Sequence, residues 1–300
     1  MMLLFSRRLW RRGAAAIAAV ALTIAASTAA RAQEGPQRVV SIGGVVTEIL
    51  YALNLQDRIV AVDTTSVYPA EAMAEHPNVG YMRALSAEGV LALGPDLILA
   101  LEGSGPPEVL DVLRNASVPV VTVPEGYTTE AIGEKIRVIA EVFGVEAEGE
   151  ALAASIAEDI ATVEAAVAAI AEPRRVMFVL SYAQGRLMAA GAGTAAHAII
   201  GLAGGVNALT GFDGYTPVTD EAVTAAAPET VLAMANAGPD PVTGEALFVL
   251  PALVGTPAAA NNAFLAIDGQ FLLAFGPRTA AAIRELALAL YPDLTIPAVD

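Results

Sequence analysis

Short apolar runs bounded by turn residues recur along the first half of the chain. They predict β-strands at residues 38–42, 59–62, 97–100 and 118–123. Gly43 and Gly44 end the first run and lead into a helix predicted over 47–53. Because each strand is apolar on both faces and helices alternate with strands, the pattern predicts parallel sheets covered on both sides.

The second half repeats this α/β pattern, from a strand at 175–180 to a final helix near 279–290. An internal repeat supports two lobes, because residues 86–100 align without gaps to residues 219–233. Glu88 matches Glu221 and Pro95 matches Pro228, and each copy predicts a capped short helix, a proline stop and a buried strand. A Gly-Tyr pair precedes each copy, ending at Tyr81 and at Tyr215.

Between the two copies, residues 146–172 consist mainly of alanine, glutamate and isoleucine, which favour a helix throughout. About 24 helical residues would span roughly 36 Å. We therefore expect a stiff connection between an N-terminal lobe at 33–145 and a C-terminal lobe at 173–300. The alternative is an ordinary helix packed within one domain, and the position of the repeats argues against it.

Composition removes several classes of function. The chain has no cysteine, which excludes a disulfide scaffold, an iron–sulfur cluster, a cysteine-ligated zinc and a thiol nucleophile. Its single lysine, Lys135, follows Glu134, so no Gly-Lys-Ser/Thr loop of a P-loop NTPase exists. Without residues 1–32 the chain holds 11 basic and 32 acidic residues, hence a net charge of −21, which argues against binding nucleic acid.

The first 32 residues read as an export signal. A basic stretch at 7–12 precedes an apolar stretch at 14–26, and Ala30 and Ala32 supply the small residues of a cleavage site after Ala32. A single membrane anchor is the alternative, although the apolar stretch is short for a span. The run from Ser6 to Trp10 is also similar to a twin-arginine signal, so the export route stays open.

Several segments resemble the haem-binding periplasmic proteins of bacterial ABC importers. These segments are residues 42–53, 62–69, 79–89, 102–107, 203–208 and 275–278. The resemblance extends over essentially all of the mature chain. The resemblance implies a class III periplasmic binding protein fold, with two Rossmann-like lobes joined by one long rigid helix. It also implies a periplasmic, monomeric, non-enzymatic protein that delivers ferric haem b to an inner-membrane ABC permease and its ATPase.

Within this resemblance, the Gly-Tyr-x-Arg element indicates haem as the ligand. Phenolate is an established ligand of ferric haem, and a nearby guanidinium favours the deprotonated phenol. The resemblance assigns Tyr81 as the axial iron ligand and Arg83 as its support. Arg186 and Arg278 are further candidates for binding the propionates, and for Arg278 a structural salt bridge is the alternative.

The resemblance also suggests a pocket wall and a docking surface. Gly43, Gly44, Tyr182 and Tyr215 are expected to line the pocket. Tyr182 stands near the position where some family members place a histidine, so it could ligate iron, stack on the porphyrin or close the pocket. Glu88 and Glu221, one on each lobe, correspond to the acids that dock on permease arginines, although helix capping alone would also place them there.

Three other readings compete with these. Cobalamin or a ferric siderophore could replace haem as the ligand of the same fold. A Gly-x-Gly-x-x-Ala run at 191–196, with Asp213 beyond it, imitates a dinucleotide fingerprint and would indicate an NAD-dependent enzyme. The two histidines are poor candidates for metal ligands, because His76 is better explained as a solvated loop residue and His197 as a partly buried residue of a predicted helix.

Overall fold

The computed structural model describes residues 35–235 and 242–299. The predicted export signal at 1–32 lies outside these residues. Within the described parts of the chain, no helix combines the length and the apolar character needed to cross a membrane. The elements form two lobes with one sheet each, and a long helix separates them in the sequence.

The N-terminal lobe is a parallel sheet with helices on both faces. Its elements are β1 (Val39–Ile42), α1 (Gly44–Ala52), β2 (Ile59–Val62), α2 (Ala70–Glu75), α3 (Ala87–Leu91), β3 (Leu97–Leu101), α4 (Pro107–Asn115), β4 (Val120–Val123) and α5 (Thr129–Phe143). The strand order is β2-β1-β3-β4, and all neighbours are parallel. Val39 packs into one buried cluster and Val40 into another, which explains why β1 is apolar on both faces.

The C-terminal lobe follows the long helix α6 (Glu146–Val167). Its elements are β5 (Arg175–Ala183), β6 (Arg186–Ala190), α7 (Ala195–Leu202), β7 (Val206–Asn207), β8 (Tyr215–Val218), α8 (Asp220–Ala226), β9 (Thr230–Met234), α9 (Gly244–Phe248), α10 (Pro257–Ala260), β10 (Phe264–Ile267), α11 (Gly269–Leu273) and α12 (Thr279–Leu290). The strand order is β10-β9-β5-β6-β8, and the short β7 also pairs with β5.

The second sheet is mixed, whereas the sequence predicted parallel strands only. β5, β9 and β10 are parallel, but β5, β6 and β8 are joined in antiparallel pairs. A two-residue turn at Gln184 and Gly185 causes the difference, because both residues have positive φ, at 54° and 75°. Such turns match the twist of a hairpin, and a parallel neighbour would have needed a longer crossover.

The internal repeat has the predicted structure in both lobes. The Ser86 side chain accepts the N–H of Gly89 at the start of α3, and Thr219 accepts the N–H of Ala222 at the start of α8. The strands that follow, β3 and β9, pair in parallel with β1 and β5 respectively. Each copy therefore occupies the equivalent position next to the first strand of its lobe.

The long helix α6 has 22 residues and ends at Val167, five residues before the predicted end. At 1.5 Å per residue it spans about 33 Å. It packs along α5 and α12 and buries Ile156, Ile160 and Val163 in the main core. After α6, the side chain of Ile170 turns in towards Gly204. The connection is thus a packed helix, and its inner face joins the core.

Candidate ligand site in the inter-lobe cleft

A cavity of about 450 Å³ lies between the two lobes. Its N-terminal wall includes Gly44, Thr65, Val67, Tyr81, Arg83, Leu101 and Glu125. Its C-terminal wall includes Met234, Asp268, Gly269, Gln270, Leu273 and Ala274. Both walls begin where sheet strands end, since Leu101 and Met234 are the last residues of β3 and β9. Ligands of open α/β sheets bind at this carboxyl edge.

Tyr81 and Arg83, the predicted iron ligand and its predicted support, both line this cavity. The segment is a turn, closed by a 2.7 Å hydrogen bond from the Ala84 N–H to the Tyr81 carbonyl. Met82 is buried in the core, whereas Tyr81 is 46% exposed and Arg83 is exposed. Among the described residues, neither the Tyr81 hydroxyl nor the Arg83 guanidinium forms a hydrogen bond or salt bridge. Both groups are therefore available to a ligand.

A buried carboxylate organises the loop beside the cavity. Asp63 is fully buried and accepts hydrogen bonds from the Gly43 N–H and the Thr65 hydroxyl, both at 2.9 Å. The Thr65 hydroxyl oxygen in turn accepts the N–H of Gly44 at 2.8 Å. The network fixes the entry to α1 against the loop after β2, so that this wall is rigid before any ligand binds.

The two glycines of this wall have different roles. Gly43 has a φ of 106°, which side chains rarely adopt, and it is the N-cap of α1. Gly44 lines the cavity, and a Cβ there would collide with the Thr65 carbonyl oxygen and the side-chain amide of Gln270. Gly44 thus lies where the two lobes touch, and Gly43 lies behind it.

Arg278 forms a structural salt bridge, the alternative to propionate binding that the sequence left open. Its guanidinium forms a two-point salt bridge with Glu48, at 2.6 and 3.0 Å, and lies 3.6 Å from the centre of the Tyr68 ring. Arg278 lines a separate cavity of about 360 Å³ beside α6 and is not among the residues that line the cleft cavity. Geometry therefore gives no support to a propionate role for Arg278.

Glu48, the partner of Arg278, is nearly buried in α1. Burial raises the pKa of its carboxyl above the ordinary value, and the bonds from Arg278 oppose that rise. The carboxylate joins α1 of the N-terminal lobe to the start of α12 in the C-terminal lobe. The sequence offered no direct signal for this pair, since the two residues are 230 positions apart.

The aromatic candidates of the C-terminal lobe differ from one another. Tyr215 packs edge-on against Phe178, with ring centres 6.3 Å apart. Burial raises the pKa of Tyr215. Tyr182 and Arg186 flank the turn of the β5–β6 hairpin and are exposed. None of these three candidates is among the residues that line the cleft cavity.

A polar side chain that was not predicted from the sequence, Glu125, follows β4. Glu125 lines the cavity, and its charge acts on the nearby Tyr127 phenol. Burial is the main reason why the pKa of Tyr127 is raised well above its ordinary value, and Arg83 lowers it slightly through its charge. The Tyr127 ring packs edge-on against Phe275 of the opposite lobe, at 5.3 Å. Position at the carboxyl end of a parallel strand was the signal that could have found Glu125.

The remaining candidates are the glycine-containing run at 191–196 and the two histidines. The run at 191–196 follows β6, an antiparallel strand, so it lacks the parallel strand–helix–strand context of a dinucleotide site. His197 lies in α7 as predicted, and its Nδ1 is buried without a hydrogen-bond partner. His76 lies after α2, and burial lowers its pKa. Within the described residues, no group of three histidine or acidic side chains could hold a metal ion.

Glu88 and Glu221 occupy matching positions. Each lies in the first turn of its helix, and both are exposed. Hydrogen bonds to its own backbone N–H and to Thr219 lower the pKa of Glu221, which therefore keeps its charge at the helix N-terminus. The arrangement is compatible with capping and leaves both carboxylates accessible to a partner.

Two α/β lobes, a connecting helix and a cleft at the strand ends are the architecture of a helix-linked solute-binding protein. The sequence profile of the family described as "Periplasmic binding protein" matches residues 39–271. The chain belongs to this family.

Three relatives illustrate the range within it. A solved structure of the periplasmic heme-binding protein BhuT in complex with two hemes is 40% identical, covers 84% of this chain and 97% of its own, and superimposes with a TM-score of 0.79. An ABC transporter substrate-binding lipoprotein of Bacillus subtilis, YvrC, is 26% identical over 86% of this chain and 81% of its own. A vitamin B12-binding protein of Pectobacterium atrosepticum is 27% identical over 85% and 91%.

Proposed function

We propose that this protein captures ferric haem in the inter-lobe cleft and delivers it to an ABC permease. The observation that carries the proposal is the position of Tyr81 and Arg83, which lie in the cleft cavity with no protein partner among the described residues. The 40% identity to a heme-binding protein over 84% of the chain supports it. Haem would be bound and released without chemical conversion, so the protein would act as a carrier.

In the proposed complex, Tyr81 supplies a phenolate to the ferric iron. A free tyrosine has a pKa near 10, so deprotonation at pH 7 costs about 4 kcal/mol. Coordination to iron offsets that cost, and the Arg83 guanidinium stabilises the negative charge or pairs with a propionate. The acids of the same cavity, Glu125 and Asp268, disfavour propionates, which are therefore expected near Arg83 or at the mouth of the cleft.

The two lobes would present one docking carboxylate each, Glu88 and Glu221. A permease with two basic residues at the same spacing would bind both lobes of the loaded carrier at the same time. We place the lobes at residues 33–145 and 173–300, with the connection between them, and expect the mature protein to act in the periplasm as a monomer after removal of residues 1–32.

A second candidate ligand is cobalamin, since relatives that include the Pectobacterium atrosepticum protein are named as vitamin B12-binding proteins. Tyr81 distinguishes the two candidates. Haem binding would depend on its hydroxyl as the iron ligand, whereas a cobalamin carrier would require no phenolate at this position.

The test is a haem titration of residues 33–300, followed by absorbance. Wild-type protein should bind saturably with a tyrosinate-type ferric spectrum, and Tyr81→Phe should lose that spectrum while it keeps the fold. Tyr182→Phe is the matched control, because Tyr182 is also a half-exposed tyrosine but does not line the cavity. Saturable binding that survives Tyr81→Phe would move the ligand elsewhere, and saturable binding of cobalamin alone would replace haem.

Docking is tested separately. The double charge reversal Glu88→Lys/Glu221→Lys should abolish haem transport and leave haem binding intact. The double variant Glu108→Lys/Glu245→Lys is the control, since it makes the same charge change at exposed acids in the first turn of other helices. Normal transport by the Glu88/Glu221 variant would rule out the docking role.

A further inference from the structure

Lys135 is the only lysine of the chain, and it is buried. It lies in α5 and is 1% exposed. Its ammonium group donates a hydrogen bond to the carbonyl oxygen of Gly126 at 2.8 Å and another to the carbonyl oxygen of Phe275 at 3.0 Å. Lysine is almost never fully buried, so its position here requires an explanation.

The two carbonyl groups belong to opposite walls of the cleft. Gly126 follows Glu125, which lines the cavity from the N-terminal lobe. Phe275 follows Ala274, which lines it from the C-terminal lobe. Phe275 has a φ of 50°, an uncommon conformation for a bulky side chain, and this conformation is part of the turn that carries its carbonyl. One ammonium thus ties together the ends of the two walls, which are about 150 residues apart.

Burial of this ammonium opposes stability. It lowers the pKa of Lys135 to about 8, and the charge of Glu125 counteracts that change. An apolar side chain of similar length would avoid the desolvation cost. However, it would leave two carbonyl groups of opposite lobes without a shared donor. The two hydrogen bonds of Lys135 therefore hold the two carbonyl groups at a defined distance, whereas an apolar residue at this position could only pack between them.

We propose that Lys135 is a positioning residue that fixes the separation of the two cleft walls, and with it the distance from Tyr81 to the opposite wall. This inference rests on the proposed haem site for its functional consequence. Its structural part, the separation of the lobes, stands independently of the ligand.

The absence of cysteine allows the separation to be measured directly. Spin labels at Glu108→Cys in α4 and Glu245→Cys in α9 place one probe on each lobe, both at exposed positions. In this background, Lys135→Met should broaden or shift the distance distribution between the labels. Arg137→Met is the matched control, because Arg137 lies on the same helix but pairs with Glu150 at the surface.

The second readout is haem binding without labels. Lys135→Met should weaken haem affinity about tenfold, a change of the size expected from one lost positioning contact, while the tyrosinate-type spectrum of the bound form persists. Lys135→Gln keeps one donor group and should fall between the wild type and Lys135→Met, and it serves as the folded variant if Lys135→Met does not fold.

The outcomes are distinct. Distance distributions of both Lys135 variants that coincide with the wild type would overturn the inference, even if the melting temperature fell, because the role would then be structural only. A changed distribution with unchanged haem affinity would overturn its functional part. If wild-type protein binds no haem, the proposed function fails, and the distance measurement still decides whether Lys135 sets the separation.

Discussion

The buried ion pair between Glu48 and Arg278 should respond unequally to removal of its two partners. The Glu48 side chain is 3% exposed, whereas that of Arg278 is 24% exposed and stacks on Tyr68. Arg278→Met leaves a buried carboxylate without its main partner, which costs about 3–5 kcal/mol of unfolding free energy. Glu48→Gln leaves a partly solvated, stacked guanidinium beside a neutral amide, and it should cost about 1–2 kcal/mol.

The pH dependence separates this explanation from a simple loss of packing. Burial already raises the pKa of Glu48 in the folded protein above its unfolded value, and loss of Arg278 raises it further. The folded state of Arg278→Met then binds a proton that the unfolded state has released. Its stability deficit should therefore be largest near pH 7 and should shrink as the pH falls towards 5.

The assay is urea unfolding followed by far-ultraviolet circular dichroism, since the only tryptophan, Trp10, lies in the predicted export signal. The variants are Arg278→Met, Glu48→Gln and the double variant, each at pH 5 and pH 7. The double variant should recover much of the loss caused by Arg278→Met. Equal losses for the two single variants, or a loss in Arg278→Met that is the same at both pH values, would refute the reasoning.

Three further predictions concern other parts of the fold. Gly44→Ala should lower stability and impair ligand binding, because the added Cβ meets the amide of Gln270. Gly201→Ala, in α7 with open space around it, should instead stabilise the protein by about 0.5–1 kcal/mol. Equal melting temperatures for the two variants would contradict this prediction. Thr219→Ala should cost about 1 kcal/mol in urea unfolding, because the side chain caps α8, and an unchanged midpoint would show that the cap is unimportant. Between pH 8 and 9.5, the unfolding free energy of the wild-type protein should rise by about 1.5 kcal/mol relative to that of Lys135→Met. The reason is that the folded state releases the Lys135 proton at about pH 8, while the unfolded state keeps it. Parallel pH profiles of the two unfolding free energies would exclude the effect.

The local parts of the candidate site followed from the sequence. Tyr81 and Arg83 are two residues apart in one turn of the loop between α2 and α3, so a short local segment brings both side chains to the same cavity wall. The same is true of the repeat helices, because Ser86 and Thr219 cap within three residues of themselves. Interactions of this range depend on spacing that can be read directly from the chain.

The hairpin formed by β5 and β6 was harder to predict from the sequence. Gln184 and Gly185 form a short turn signal, but the apolar strand before them also fits a parallel sheet. Only pairing with a neighbouring strand decides between the two arrangements. The mixed second sheet therefore had to come from the structure.

The α/β class, the connecting helix and the capped helices of the repeat could be predicted from the chain, because each depends on periodicity, capping or spacing within a few tens of residues. The two lobes followed from the internal repeat, and the Tyr81–Arg83 element followed from the resemblance of its segment to a known family. The contacts that join the two lobes around the cleft became visible only in the folded protein. It paired Arg278 with Glu48, brought Lys135 to the carbonyl of Phe275 and placed Glu125 in the cavity wall. Charges and carbonyl groups carry no periodic signal of their partners, and contacts between distant segments are settled when the two lobes pack together.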